Sequence, residues 1–324
     1  MKKIWAAYAL AAVAVATVWP AHAQQGYPSK PVRFIVPFSA GSGTDIAARA
    51  VGEVMSRGLG QPVVIENRPG AGGTIAAAAV AKGEADGHTV LVPSSGHAVN
   101  PALYPNLPYD TLKDLAGVTP LVAMPNVLVV SPARGWKSVA DLVAAAKAKP
   151  GALNYASAGV GSATHFNAEK FRLQAGLTAV HVPFKGTPEA MTDVVGGRSD
   201  WFFAPLSSAL PLIRDGKLQA LAVSTARRSA LLPDVPTTVE AGVPGSDYTF
   251  WVALVVPAAT PAAAVARLQQ EAAKALATPE LVERLAKLGT PTIIASDGSV
   301  LGGYLEPAQL AQRLASVQEV PSRP

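Results

Sequence analysis

The chain contains no cysteine, which excludes disulfides, thiolate metal sites and attachment of a lipid to a cysteine behind an export signal. Charged residues make up only 15% of it and aromatics 6%. Lys and Arg do not cluster: the densest stretches are "ARR" at 226–228 and "AKAK" at 146–149. No basic stripe is present for nucleic acid, and single-strand binding would need aromatics interleaved with base. Behind the N-terminal segment the histidines are His88, His97, His165 and His181, with no H-x-H or H-E-x-x-H spacing for a metal. A P-loop is excluded because no G-x-x-x-x-G-K-[ST] occurs. No paired carboxylates stand out, and charges sit as helical partners, for example Glu283 and Lys287 at i, i+4. Apolar stretches such as "WVALVVPAA" meet a proline within ten residues, so none after residue 23 spans a membrane.

What is present begins with an export signal. "MKK" is basic, "IWAAYALAAVAVATVW" is an apolar run of sixteen, and Ala21 and Ala23 occupy the small positions of an A-x-A-like site. Sixteen residues fall short of the ~20 that cross a bilayer. Cleavage after Ala23 and residence in a Gram-negative periplasm are expected. Removing Lys2 and Lys3 lowers the formal charge from +5 to +3. With 49% apolar residues and about 300 residues left, two packed lobes are expected.

From Pro31 short apolar runs alternate with helical segments, which predicts parallel sheet flanked by helices. "VRFIVPF" leads into a helix over about 44–57, and "PVVIEN" through "RPGAGG" into a helix from Thr74. In the second half, Ser138 caps a helix carrying Val139, Leu142, Val143 and Ala146 on one face. Thr187 is expected to cap another, with Pro188 at its first position. Gly289 closes the last of two Pro-started helices.

One echo matters most. Gly41-Ser42-Gly43-Thr44-Asp45 lies between strand and helix, and so does Gly161-Ser162-Ala163-Thr164-His165, 120 residues later. Two such helix starts facing each other would line a cleft with free N–H groups and hydroxyls, suited to an anion. A dinucleotide fits poorly: "GSGTDI" begins G-x-G and Glu66 ends the next strand, but Ile46 holds the third glycine position. Export argues against it too. A nucleophile elbow is nearly met at Tyr155-Ala156-Ser157-Ala158-Gly159, with Tyr155 replacing the first glycine. His165 either donates to an anion or merely caps its helix. Asp45 repels an anion, unless it bonds its own backbone or meets a donor on the ligand. Small-anion binding without chemistry remains. Two carboxylate ends, each taking two charge-assisted bonds, give ~6–12 kcal/mol gross. Micromolar affinity, about −8 kcal/mol, then also requires the ligand's body to pack well.

The chain resembles the periplasmic solute-binding proteins of tripartite tricarboxylate transporters, the "Bug" family. The resemblance rests on "YPSKPVRFIVPFSAGSGTDIAAR" (27–49), "ENRPGAGGTIAA" (66–77), "NYASAGVGSATHFNAE" (154–169), "HVPFKGTPEAMTDVVGGRSD" (181–200), "ALPLIRDGKLQALAVSTARR" (209–228) and "LPDVPTTVEAGVPG" (232–245). It implies an α/β, two-lobe type II periplasmic-binding fold of mixed sheets flanked by helices, clamping a small-molecule carboxylate. It further implies no enzymatic activity, no cofactor, a monomer and a membrane permease as partner. Lobe one would comprise 24–122 and 227–324, and lobe two 123–226, with crossings near Pro120–Pro125 and Ser224–Arg228. The resemblance assigns Phe38, Ser39, Gly41, Ser42, Gly43, Thr44 and Asp45, with Ser94 and Ser95, to the first wall. It assigns Ser157, Ala158, Gly161, Ser162, Thr164 and His165, with Ala204 and Pro205, to the second. Two departures bear on the ligand. Ser42 replaces a glycine in the commoner Ala-Gly-Gly loop, and relatives often carry an Asp near Ala204, where Ala204-Pro205 would make the wall apolar. An apolar wall between two anion-binding ends points to a dicarboxylate with a hydrophobic or aromatic body. Two alternatives remain: a sensor accessory, which needs the same clamp, and an exported carboxylate-binding hydrolase, which requires turnover with Ser157 or Ser162 as nucleophile.

Overall fold

The computed structural model describes residues 26–290 and two short strands, Ile293–Ile294 and Val300–Leu301. The expected export segment, 1–23, lies outside the described residues. The first sheet starts with β1 (Val32–Val36), where Val32, Phe34 and Val36 face one side and Ile35 the other. Chain reversal through α1 (Gly43–Leu59) sets β2 (Val63–Asn67) parallel to β1, and α2 (Thr74–Ala81) leads to β3 (Thr89–Leu91) on its other edge. A one-turn helix, α3 (Asn100–Leu103), precedes β4 (Leu115–Met124).

The chain then enters a second sheet. Its elements are β5 (Asn126–Val130), α4 (Val139–Ala148), β6 (Asn154–Ser157), α5 (Ala163–Gln174), β7 (Val180–Pro183), α6 (Thr187–Val195), β8 (Trp201–Pro205), α7 (Leu206–Arg214) and β9 (Gln219–Val223). It returns to the first as β10 (Phe250–Pro257), followed by α8 (Ala262–Leu276) and α9 (Pro279–Lys287). The strand orders are β2-β1-β3-β10-β4 and β7-β6-β8-β5-β9.

Both sheets are mixed, where strand–helix alternation alone predicts parallel pairing. β10 runs antiparallel to β3 and β4, and β5 antiparallel to β8 and β9. The antiparallel strands are those by which the chain leaves one sheet for the other, and these exchanges use no crossover helix.

Period-two alternation builds a core on each face of each sheet. In the first lobe, Phe34 packs with Val51 and Met55 of α1, Leu268 of α8 and Leu281 of α9, while Ile35 packs with Ala76 and Val80 of α2. In the second, Val127, Val129, Phe202 and Ala204 face α6 and α7, while Leu128, Trp201 and Phe203 face Leu142 of α4 and Phe171 of α5. Ser138 caps α4 as its sequence predicts: its Oγ accepts from the Asp141 N–H at 3.2 Å and Asp141 accepts from the Ser138 N–H at 2.9 Å. The cap of α6 differs from expectation. Gly186 is the N-cap and Thr187 the first helical residue, because extended backbone at Gly186 starts the helix one position earlier.

Pro125 separates β4 from β5 at the first crossing. At the return, Leu231, Leu232 and Val235 still pack against the second sheet, and Val243 is buried in its other face. The chain reaches the first sheet only at Phe250, beyond the Ser224–Arg228 crossing expected from sequence. Fully buried Ser224 ties the two crossings together: its Oγ accepts from the Asn126 N–H at 3.0 Å and donates to the Tyr248 carbonyl at 2.7 Å. Ser224→Ala leaves a buried donor and acceptor unpaired, so unfolding in urea is expected to show a loss of about 2 kcal/mol. A loss below about 0.5 kcal/mol, the level of an inert surface change, contradicts this role for the hydroxyl.

Candidate functional site

α1 and α5 begin from the C-terminal ends of β1 and β6, the edge where α/β sheets place their ligand sites. The two starts share more than letters. Gly41 and Gly161 have φ of 83° and 79°, a left-handed turn that glycine adopts freely. Ser42 and Ser162 follow with φ, ψ of −68°, 157° and −70°, 158°. Each serine Oγ accepts from the N–H three residues on, Asp45 at 3.3 Å and His165 at 3.2 Å. Each third helical residue reaches back: Asp45 Oδ2 accepts from the Gly41 N–H at 2.9 Å, and His165 Nδ1 from the Gly161 N–H at 3.3 Å. The N–H groups of Gly43, Thr44, Ala163 and Thr164, at the first two positions of each helix, have no intrahelical acceptor.

These four residues line one interlobe cavity of about 10 Å³, with Phe38, Ser42, Ser94 and Phe250 on the first wall and Ala158, Ser162 and Thr187 on the second. No charged side chain lines it. The polar groups it presents are N–H dipoles and hydroxyls, with two phenylalanines as apolar surface. Such a volume holds about one water, so anything larger enters only if the lobes part.

Eight of the residues expected from sequence therefore meet at the cavity: Phe38, Ser42, Gly43, Thr44, Ser94, Ala158, Ser162 and Thr164. The others stand behind or beside it. Gly41 and Gly161 turn the loops. Ser39 Oγ donates to Glu189 Oε1 at 2.6 Å, and Ser208 Oγ to the Gly41 carbonyl at 3.1 Å, both across the lobes. Ser95 Oγ bonds the Tyr248 hydroxyl at 2.8 Å, beside the crossing. Buried Asp45 accepts from Gly41, from Arg49 Nε at 3.0 Å and from Asn67 Nδ2 at 2.8 Å, so its oxygens are occupied by the protein. Ser157 is fully buried, its Oγ accepting from the Gly159 N–H at 3.0 Å and lying 2.6 Å from His181 Nε2. Ala204 is fully buried in the core beneath α6 and α7 and is not part of the cavity lining. Pro205 supports the cavity from outside: a Cβ on Gly43 would lie 2.6 Å from it.

Ala163, Thr187 and Phe250 line the cavity without being among the residues assigned to it, Ala163 simply lying between two that were. For Thr187 a signal existed, a third helix start opening with small residues. Phe250 carried none, since only the return of β10 brings it beneath the two loops.

The lobes meet backbone to backbone. A Cβ on Gly96 would lie 2.3 Å from the Gly161 carbonyl oxygen and 2.8 Å from the Ala163 nitrogen. One on Gly72 would lie 1.9 Å from the Val160 carbonyl oxygen, which also accepts from the Tyr104 hydroxyl at 2.8 Å. Behind the second loop the rings of His165 and His181 stack at 4.2 Å, and Tyr155 stacks between His181 and Trp201 at 4.9 and 4.8 Å. Burial, with His165 adjacent, pushes His181 down to about 4; burial alone takes His97 to about 4. Burial also lowers His165.

Comparison with known proteins agrees with this geometry. The sequence model of the tripartite tricarboxylate transporter family receptor matches residues 47–299. Protein BugT of Bordetella pertussis is 37% identical over 278 residues, covering 85% of each chain. Among solved structures, periplasmic binding protein BugD is 31% identical with a TM-score of 0.79, over 90% of this chain and 94% of that one. MatC of Rhodopseudomonas palustris with bound malate is 34% identical with a TM-score of 0.80, over 90% and 97%. A second R. palustris protein, solved with adipate, is 33% identical with a TM-score of 0.79, over 90% and 94%.

Two outcomes are expected. Gly96→Ala obstructs closure, since the atoms nearest its new methyl belong to the opposite lobe. Scattering should show a more extended particle, and carboxylate affinity should fall about tenfold or more, as the closed fraction falls. Unchanged affinity would show that the lobes tolerate the wider gap. Because the folded state holds His97 and His181 neutral, their contribution to stability is complete above the unfolded value of about 6.5 and declines as pH falls toward 4. Melting temperature should therefore drop between pH 7 and pH 5, less so in His97→Gln. Equal slopes in the two proteins count against the His97 contribution.

Proposed function

The chain belongs to the tripartite tricarboxylate transporter receptor family of periplasmic solute-binding proteins, and from that premise we propose that it captures a small dicarboxylate between its lobes and delivers it to a membrane permease. This family binds solutes and is not a family of enzymes. The single observation that carries the ligand reading is the cavity with two helix starts and no charged side chain. Each start offers two N–H groups and a positive dipole end to one carboxylate. Relatives solved with malate and adipate support that class. The chain between the carboxylates meets Phe38 and Phe250, which favours a hydrophobic or aromatic body. That preference rests on these rings, because Ala204 sits in the core.

We place lobe one at residues 26–124 and 249–290, and lobe two at 126–247, with hinges at Pro125 and Tyr248. Closure follows the hinge motion by which periplasmic binding proteins, a standard example of that movement, enclose their ligands. A single chain suffices, since both walls come from it. Export with cleavage after Ala23 accords with the family's periplasmic setting.

Calorimetric titration of the chain from Gln24 with aliphatic and aromatic mono- and dicarboxylates, citrate and acidic amino acids tests the reading. At least one dicarboxylate is expected to bind near micromolar, about −8 kcal/mol. Thr44→Val and Thr187→Val should each weaken it about fivefold, the equivalent of one lost hydrogen bond. Absence of binding by every carboxylate at millimolar concentration would overturn the proposal.

A further inference from the structure

The two helix starts are matched in backbone and differ in the residue that braces them. In the first lobe the brace is a carboxylate, Asp45, whose charge is met by Arg49 Nε at 3.0 Å. In the second it is an imidazole, His165, whose Nδ1 takes the Gly161 N–H. An acceptor at Nδ1 carries no proton there, so this ring is the neutral Nε2–H tautomer.

Its surroundings hold it in that state. The ring of His181 lies against it at 4.2 Å, and two imidazolium ions at that distance repel. Ser157 Oγ, already accepting from Gly159, has a proton to donate to His181 Nε2, which keeps the second ring neutral as well. The ionised groups nearby are committed to each other: Glu169 accepts from Arg172 Nε at 2.9 Å and Nη2 at 2.8 Å, and from the Tyr155 hydroxyl. Arg172 also donates to the Leu177 carbonyl. Unlike Asp45, a carboxylate at position 165 would find no free cation among these groups.

We propose that His165 is a positioning residue for carboxylate binding: it braces the Gly161 loop as Asp45 braces Gly41, without placing an uncompensated negative charge at the second helix start. The inference rests on the carboxylate reading and adds how that site stays receptive to an anion. Both starts thereby end with no net charge on the brace, one through an ion pair and one through a neutral ring. His165 acts through the loop, since its side chain is not part of the cavity wall.

Three substitutions separate geometry from charge. His165→Leu removes the brace and should weaken binding of adipate, malate or phthalate, whichever binds the wild type best, by about tenfold. His165→Asn supplies a neutral acceptor and should rescue affinity to within about threefold of wild type. His165→Asp supplies the acceptor used at Gly41 but adds the charge, and should bind at least about tenfold more weakly than His165→Asn. Equal affinity of the Asp and Asn variants overturns the proposal, as does failure of Asn to rescue. Should the wild type bind no carboxylate, the functional reading fails and takes the proposed role in binding with it. Imidazole nitrogen NMR at pH 7 tests the neutral brace separately: the proposal expects a neutral His165 ring with its proton on Nε2, and a protonated ring, or a proton on Nδ1, overturns it.

Discussion

The proposed capture of a carboxylate by helix N–H groups requires that they stay free of protein acceptors while being kept out of bulk water. That constraint organises the molecule. At each start the serine satisfies the third helical N–H and leaves the first two open. The glycine before it reverses the chain, and the third helical side chain ties down the glycine's own N–H. The two sheets act as rigid stands, projecting their loops from strand ends into one gap. Dryness comes from the opposite lobe, which approaches so closely at Gly72 and Gly96 that no side chain would fit.

The chemistry of the wall follows. A lysine or arginine in the cavity would bind anions strongly but would need its own desolvation offset, and it would serve any anion of suitable size. Dipoles fixed in backbone geometry have no rotamer freedom to lose, and they reward a ligand whose charges are spaced to match. Phe38 and Phe250 add a shape requirement between those points. The charged residues near the loops are held outside the cavity: Asp45 by Arg49, and Glu169 by Arg172.

Legibility in the sequence tracked how local each feature is. The repeated Gly-Ser-x-Thr could be read because a helix cap is decided within five residues, and the structure repeats it almost to the degree in φ and ψ. The mixed character of the sheets was invisible to alternation alone, because β10 takes its place between β3 and β4 from far along the chain. The same distance hid Phe250. Residues 229–247 gave no sign of their allegiance, since the leucines and valines that attach them to the second sheet are few and widely spaced. Ala204 illustrates the converse: its strand was evident, yet the face it points to depends on register. Asp45 and His165 are both recognisable in the sequence as helix-start residues, but their shared bond to a glycine N–H requires the loop's actual turn.

The interleaving of the sheets bears on how the chain acquires its shape. Residues 126–247 form the second sheet from contiguous sequence, so a chain emerging from its N-terminus can assemble this part as soon as it is complete. The first sheet waits for β10, without which β3 and β4 have no common neighbour and Phe34 lacks its partners on α8 and α9. Pairings so distant in sequence form slowly, since the loop must close before any contact rewards it. The half of the chain that emerges first is therefore the half that is completed last.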